Sequence, residues 1–327
     1  MVLQNLLNGL VEASVIVMAA MGLSLIYGVK KFANFAHGDM MTVGAYFALF
    51  IMGVTGRNYV AGILGALLFV ALLAILFEFL IFSRLEGRGP VAPLVASVGL
   101  ALILQNSIRS VWGTDIITFG IVLPENWAFP VRDPLTGLFV TLNPLQGFAP
   151  MVTALVSVLF LTFLLQFTKL GKAMRATADN PDLARITGIN VKQVRYVTWV
   201  LAGLLAGAGG IIIGVRLTTL VPGLGASILL IVFSAVILGG IGSAYGAMLG
   251  ALVMGLARNL FFPVAVRTGI PEEFSLLIPF GILVIVLLVR PQGIVGRPVG
   301  FDVPPIRAEF KKLLQSLARA WKRRARG

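Results

Sequence analysis

Hydrophobic runs without a single charge recur along the chain, at 13–29, 40–56, 58–77, 89–108, 134–168, 196–215, 217–257 and 274–289. A bilayer core about 30 Å thick is crossed by roughly 20 apolar helical residues, so runs of this length read as spans rather than as core helices of a soluble domain. The run 217–257 is long enough for two passes and is broken at Gly239-Gly240-Ile241-Gly242-Ser243. The pattern therefore predicts an all-α polytopic membrane protein with about nine transmembrane or re-entrant helices, near 6–29, 37–53, 59–83, 90–111, 148–168, 195–215, 226–240, 243–262 and 274–290. The second and seventh are short, as expected of a half-helix or a re-entrant element.

Composition agrees. Of 327 residues, 58% are hydrophobic and 12% charged, and the mean hydropathy of +0.97 excludes a soluble globular domain. The net charge is +13, and its placement matters more than its size. Lys and Arg collect in short loops on the cytoplasmic side of a membrane. With the C-terminus inside, nine passes place 20 of the 26 basic residues in cytoplasmic segments: 30–36, 84–89, 169–195 and the tail from Arg290. Arg57, Arg109, Arg132, Arg216, Arg258 and Arg267 remain outside or at outer helix ends. The first five residues carry no basic group, which argues against a cleaved secretory signal. The expected organisation is a transmembrane unit over 1–296, with a cytoplasmic loop at 169–195 and an external loop at 113–147, followed by a tail at 297–327. In the tail Phe310, Leu313, Leu314, Leu317 and Trp321 repeat at helical spacing among basic residues. That pattern suits a helix lying on an anionic lipid surface.

Chemistry-bearing residues are few. The chain has no cysteine and one histidine, His37, so thiolate metal sites and histidine ligand clusters are excluded. No Gly-x-x-x-x-Gly-Lys-Ser/Thr phosphate loop occurs, so the chain is not expected to hydrolyse ATP. The basic balance implies membrane contact rather than nucleic acid. Asn34, His37 and Asp39 sit together where the chain re-enters the membrane. They are candidates for the translocation path, with turn capping as the competing role. Glu12 and Glu78 fall inside predicted spans, each close enough to a helix end to reach the interface. Gly203 and Gly207 on one helix, and Gly242, Gly246 and Gly250 on another, have the small-residue spacing that lets helices pack closely in lipid.

The loop at 169–195 spells a helix through about Ala178, a break, and a second helix. Asn180 caps that second helix, Pro181 stands at its first position, Asp182 lies in its first turn and Gly188 ends it. Leu183, Ile186 and Thr187 share one side of it. The run Gly171-Lys172-Ala173-Met174-Arg175-Ala176-Thr177-Ala178-Asp179-Asn180, with Ala184 and Gly188-Ile189-Asn190, resembles the cytoplasmic signature loop of permease subunits of branched-chain amino acid ABC importers, the LivH type. Tyr27-Gly28, Asn34-Phe35-Ala36-His37-Gly38-Asp39, Gly44-Ala45-Tyr46, the glycine cluster at 239–251 and Arg290-Pro291-Gln292-Gly293 extend the resemblance over about 20–296. It implies an ATPase-coupling role for Arg175, Ala176, Asp179, Asn180, Asp182, Ala184 and Gly188. It also implies partners: a second permease subunit, cytoplasmic ATPase subunits that hold ATP and magnesium, an extracytoplasmic substrate-binding protein, and membrane lipid. This chain itself would hold no cofactor. Leucine, isoleucine and valine are the implied substrates; urea, short amides or other amino acids, and a different class, an ion-coupled secondary transporter or channel, stay open at this point.

Overall fold

The computed structural model describes residues 2–119, 129–132, 139–142, 144–267 and 277–295. In these the chain is a helical bundle: α1 (Val2–Lys30), α2 (Ala36–Val54), α3 (Tyr59–Phe77), α4 (Val91–Trp112), α5 (Ala149–Phe167), α6 (Lys169–Asp179), α7 (Pro181–Ile186), α8 (Val191–Leu217), α9 (Leu224–Gly239), α10 (Ala244–Arg267) and α11 (Leu277–Val289). Among the described residues seven helices are long and apolar enough to cross a membrane, and two shorter apolar helices lie at Leu224–Gly239 and Pro279–Val289. All nine coincide with the predicted segments. The tail at 297–327, with its proposed amphipathic helix, lies outside the described residues, as does much of 113–147.

In lipid every backbone polar group must be satisfied within the segment, and the long helices do this. α1 and α8 form the centre: Ile16, Met18, Ala19, Met21, Leu23 and Ile26 of α1 and Trp199, Ala202 and Ala206 of α8 are buried. α3, α4 and α5 present long apolar faces outward, as at Leu64, Leu68, Val95, Ile103, Leu159 and Phe163. Hydrophobic burial does not hold such helices together in a bilayer; close backbone packing does. Gly203 and Gly207 lie against Val70 of α3, and Gly210 lies against the backbone of Met41 in α2. A methyl group at Gly246 or Gly250 would collide with the carbonyls of Gly239 or Ala235 in α9. Gly242 departs from the expected stripe. It precedes α10, in a turn beside Tyr27 and Gly28, with φ +83°. A residue in that left-handed region stops a helix and does not line its face.

Contacts between loops sort the bundle into two ends. At one, Gly242 meets Gly28, and the amides of Ile294 and Val295 donate to the carbonyls of Leu238 and Gly239. At the other, short strands β1 (Ile117–Thr118) and β4 (Thr219–Leu220) pair antiparallel, Ile117 with Leu220. There they tie the exit of α4 to the exit of α8. Between them in sequence, β2 (Phe129–Arg132) and β3 (Phe139–Leu142) form a hairpin with Phe129 opposite Leu142. The first end, which carries Lys30, Lys31, Arg84 and Arg185, is called the basic end below, and the second the far end.

Candidate functional site

The 169–195 loop folds as two short helices at the basic end. Thr168 starts α6 by accepting from the Gly171 amide at 3.0 Å. Gly171 is obligatory there, because a Cβ would strike the Leu164 and Leu165 backbone. Arg175 turns back to donate to the Leu165 carbonyl, and Met174 and Thr177 are buried, so α6 is fastened to the base of α5. Asn180 then caps α7, its side-chain oxygen accepting from the amides of Asp182 and Leu183 at 3.0 Å each. Gly188, at φ +85°, ends the helix, and Ile189 donates to the Ala184 carbonyl at 3.0 Å.

Within α7 only Ala184 is buried, so the helix is held by a single methyl group on its inner side. Leu183 is 58% and Ile186 83% exposed. An apolar face of that kind, on a capped and fastened helix, is a surface for another protein. Lys31 lies nearby in the left-handed region, φ 58°. Burial lowers the pKa of its ammonium, and the charge of Asp179 opposes that shift.

A chain of ion pairs runs from α7 into the bundle. Arg185 of α7 lies 3.9 Å from Glu86, in the loop before α4, and Arg195 at the start of α8 also pairs with Glu86. Arg195 sits 3.9 Å from Glu78 as well, and Glu78 takes a 2.8 Å ion pair from Lys30 at the end of α1. Glu78 opens a π-helical turn, Glu78–Phe82, that continues α3. Beside it Phe32, Phe82 and Trp199 stack with centroids 5.0 and 4.8 Å apart. Glu78 is therefore buried, 1% exposed, and does not reach the interface as its position near a helix end suggests. Two cations from separate helices satisfy it instead.

Glu12 behaves the same way at the far end. It is 7% exposed, pairs with Arg258 of α10, accepts from Asn259 at 2.6 Å and lies 3.8 Å from Arg216 of α8. These networks were the part of the site that sequence reading missed. The signal available was the pair of acidic residues inside spans; their partners are 48 to 246 positions away in sequence.

Asn34, His37 and Asp39 are together at the entry to α2, all at most 1% exposed. Asn34 caps the turn, its side-chain oxygen taking the Ala36 amide at 3.2 Å. The His37 ring meets the Ala19 carbonyl at 3.0 Å. Ala19 is eleven residues from the end of α1, about 16 Å at the helical rise, so α2 begins well inside the bundle. Gly38 and Gly225 touch backbone to backbone, and the Gly225 amide donates to Thr42 at 2.8 Å. Among the described residues the second ring nitrogen of His37, the Asn34 amide nitrogen and Asp39 Oδ1 have no hydrogen-bond partner. Unpaired buried polar groups of this kind are costly in a membrane protein and mark functional positions.

A helical membrane body with a capped helix displayed at its basic end and unpaired polar groups inside its spans defines a polytopic permease. Residues 5–287 match the family described as branched-chain amino acid transport system / permease component, and the chain belongs to that family. It is 30% identical over 304 residues to the high-affinity branched-chain amino acid transport system permease protein BraD of Pseudomonas aeruginosa, covering 90% of this chain and 96% of that protein. Identity is 29% over the same coverage to the corresponding permease LivH of Escherichia coli. It is 28% over 79% of this chain and 77% of the relative for the ribose import permease RbsC of Escherichia coli. The solved structure titled PsaBC from Streptococcus pneumoniae in complex with Fab gives a TM-score of 0.46 at 13% identity, covering 87% of this chain and 91% of that one.

Proposed function

We propose that the chain is one of two permease subunits forming the translocation path of an ATP-driven importer for leucine, isoleucine and valine in a prokaryotic plasma membrane, with its C-terminus cytoplasmic. Cytoplasmic ATPase subunits bind and hydrolyse ATP with magnesium, an extracytoplasmic binding protein delivers substrate near 113–147, and the basic tail rests on anionic lipid. Membership of the permease family supports this reading, and the observation that carries it is the exposed Leu183 and Ile186 face of α7.

In this reading the 169–195 loop docks on an ATPase through Arg175, Ala176, Asp179, Asn180, Asp182, Ala184 and Gly188. Closure of the ATPases pulls α7, and the pull passes through Arg185, Glu86 and Arg195 to α8, α3 and α1. The spans then tilt between outward- and inward-facing states, past Asn34, His37 and Asp39. A secondary transporter would require buried carboxylates free to bind a coupling ion. Glu12 and Glu78 are each held by cations, which favours the ATP-driven reading. The test is co-purification: a tagged copy of this chain, extracted in mild detergent, is expected to bring down a second permease and ATPase subunits. Isolation of the chain alone, still able to carry leucine in vesicles, would overturn the assignment.

A further inference from the structure

Between α2 and α4 the two helices turn polar stripes toward each other. On α2, Asp39 and Tyr46 are seven residues apart, hence on one stripe, and both are buried. On α4, Gln105, Arg109 and Trp112 follow one another at i, i+4 and i+7. Gln105 offers its amide to the Asp39 carboxylate, and the charge of Arg109 acts on it. Tyr46 stacks edge-on against Trp112 with centroids 5.4 Å apart. Among the described residues Asp39 Oδ1 and the Tyr46 hydroxyl find no partner, although both are buried.

The outward face of α4 changes character at the same depth. Val91, Val95, Val98, Leu102 and Ile103 are exposed and apolar, whereas Asn106, Ser107, Arg109 and Ser110 are exposed and polar. Gln105 is seven residues short of the end of the helix, about 10 Å within it. Lipid does not solvate such a surface, and polar groups inside a span face a cavity or a partner. Unpaired buried acceptors on one wall and a cation with amides on the other leave room, chemically, for a solute bearing both charges.

We propose that the cleft between α2 and α4 is a stop on the translocation path that receives the zwitterionic head of an amino acid, the ammonium toward Asp39 and Tyr46 and the carboxylate toward Arg109 and Asn106. Trp112 walls the cleft with an apolar surface suited to an aliphatic side chain. The inference rests on the reading of the chain as an amino-acid permease and assigns the residues that hold the cargo.

The natural chain has no cysteine, so single cysteines report without background. In the complete complex in cells, Asn106→Cys and Arg109→Cys are expected to react with a membrane-impermeant thiosulfonate at least about tenfold faster than Ile103→Cys, and Arg109→Gln to lower leucine uptake about tenfold or more at unchanged membrane levels, the loss of one charge-assisted hydrogen bond. Arg109→Lys should recover part of that uptake, which loss of a packing role would not allow. Cysteines at 106 and 109 as unreactive as at 103, or Arg109→Gln carrying leucine like the natural chain, would overturn the cleft. A natural complex that takes up no amino acid would instead overturn the permease reading beneath it.

Discussion

Replacing Ala184 by proline is expected to abolish ATP-coupled uptake while leaving insertion of the spans intact. Ala184 is the one buried residue of α7, and its amide donates to the Asn180 carbonyl at 3.0 Å. Proline removes that donor and drives its ring against the same carbonyl, a penalty of about 3 kcal/mol in a helix interior. A helix of six residues has no other interior hydrogen bonds to absorb that cost, so the Leu183 and Ile186 face is lost as a unit. The affected backbone lies outside the apolar bundle, so the variant should reach the membrane at the natural level. Uptake and the stimulation of ATP hydrolysis by loaded binding protein, measured together, check it. Survival of both with correct insertion would show that α7 does not transmit the ATPase stroke.

The second large effect is expected at Glu78. Its carboxylate neutralises Lys30 and Arg195, whose side chains are 8% and 11% exposed. Glu78→Gln keeps the shape and leaves two buried cations facing each other. Breaking a buried ion pair from one side costs about 3–5 kcal/mol. The expected readout is loss of the folded permease from the membrane or a large drop in its thermal stability in detergent. Glu86→Gln, which removes the half-exposed member of the same chain, should be far milder, because exposed pairs contribute about 0–1 kcal/mol. Equal effects at 78 and 86 would contradict this account of the network.

Most of the architecture was legible in the sequence because the bilayer imposes one requirement, apolar length, that is written along the chain. The ends of α1, α3, α4 and α5 fall within a few residues of the predicted bounds. The break before α7 was legible for a local reason. Asn180, Pro181 and Gly188 act on their own backbone, and the structure gives each its expected place. Pairings across the fold were not legible. Nothing near Glu78 in sequence announces Lys30 or Arg195, and the face-to-face glycines 38 and 225 are separated by most of the chain. The Gly242 stripe misled because a four-residue glycine spacing reads the same whether a helix continues through it or a left-handed turn interrupts it. The depth at which α2 begins was also hidden, since hydropathy marks a span's length and not where it starts.

The central claim is that this chain carries its cargo only when nucleotide is hydrolysed by partners seated on its basic end. The most direct test is leucine uptake by the purified complex in vesicles, with loaded binding protein on one side and the energy source varied. The account predicts uptake with magnesium ATP on the side of the ATPases, none with a non-hydrolysable analogue, and none with a proton or sodium gradient alone. Uptake driven by an ion gradient in the absence of ATP would contradict it.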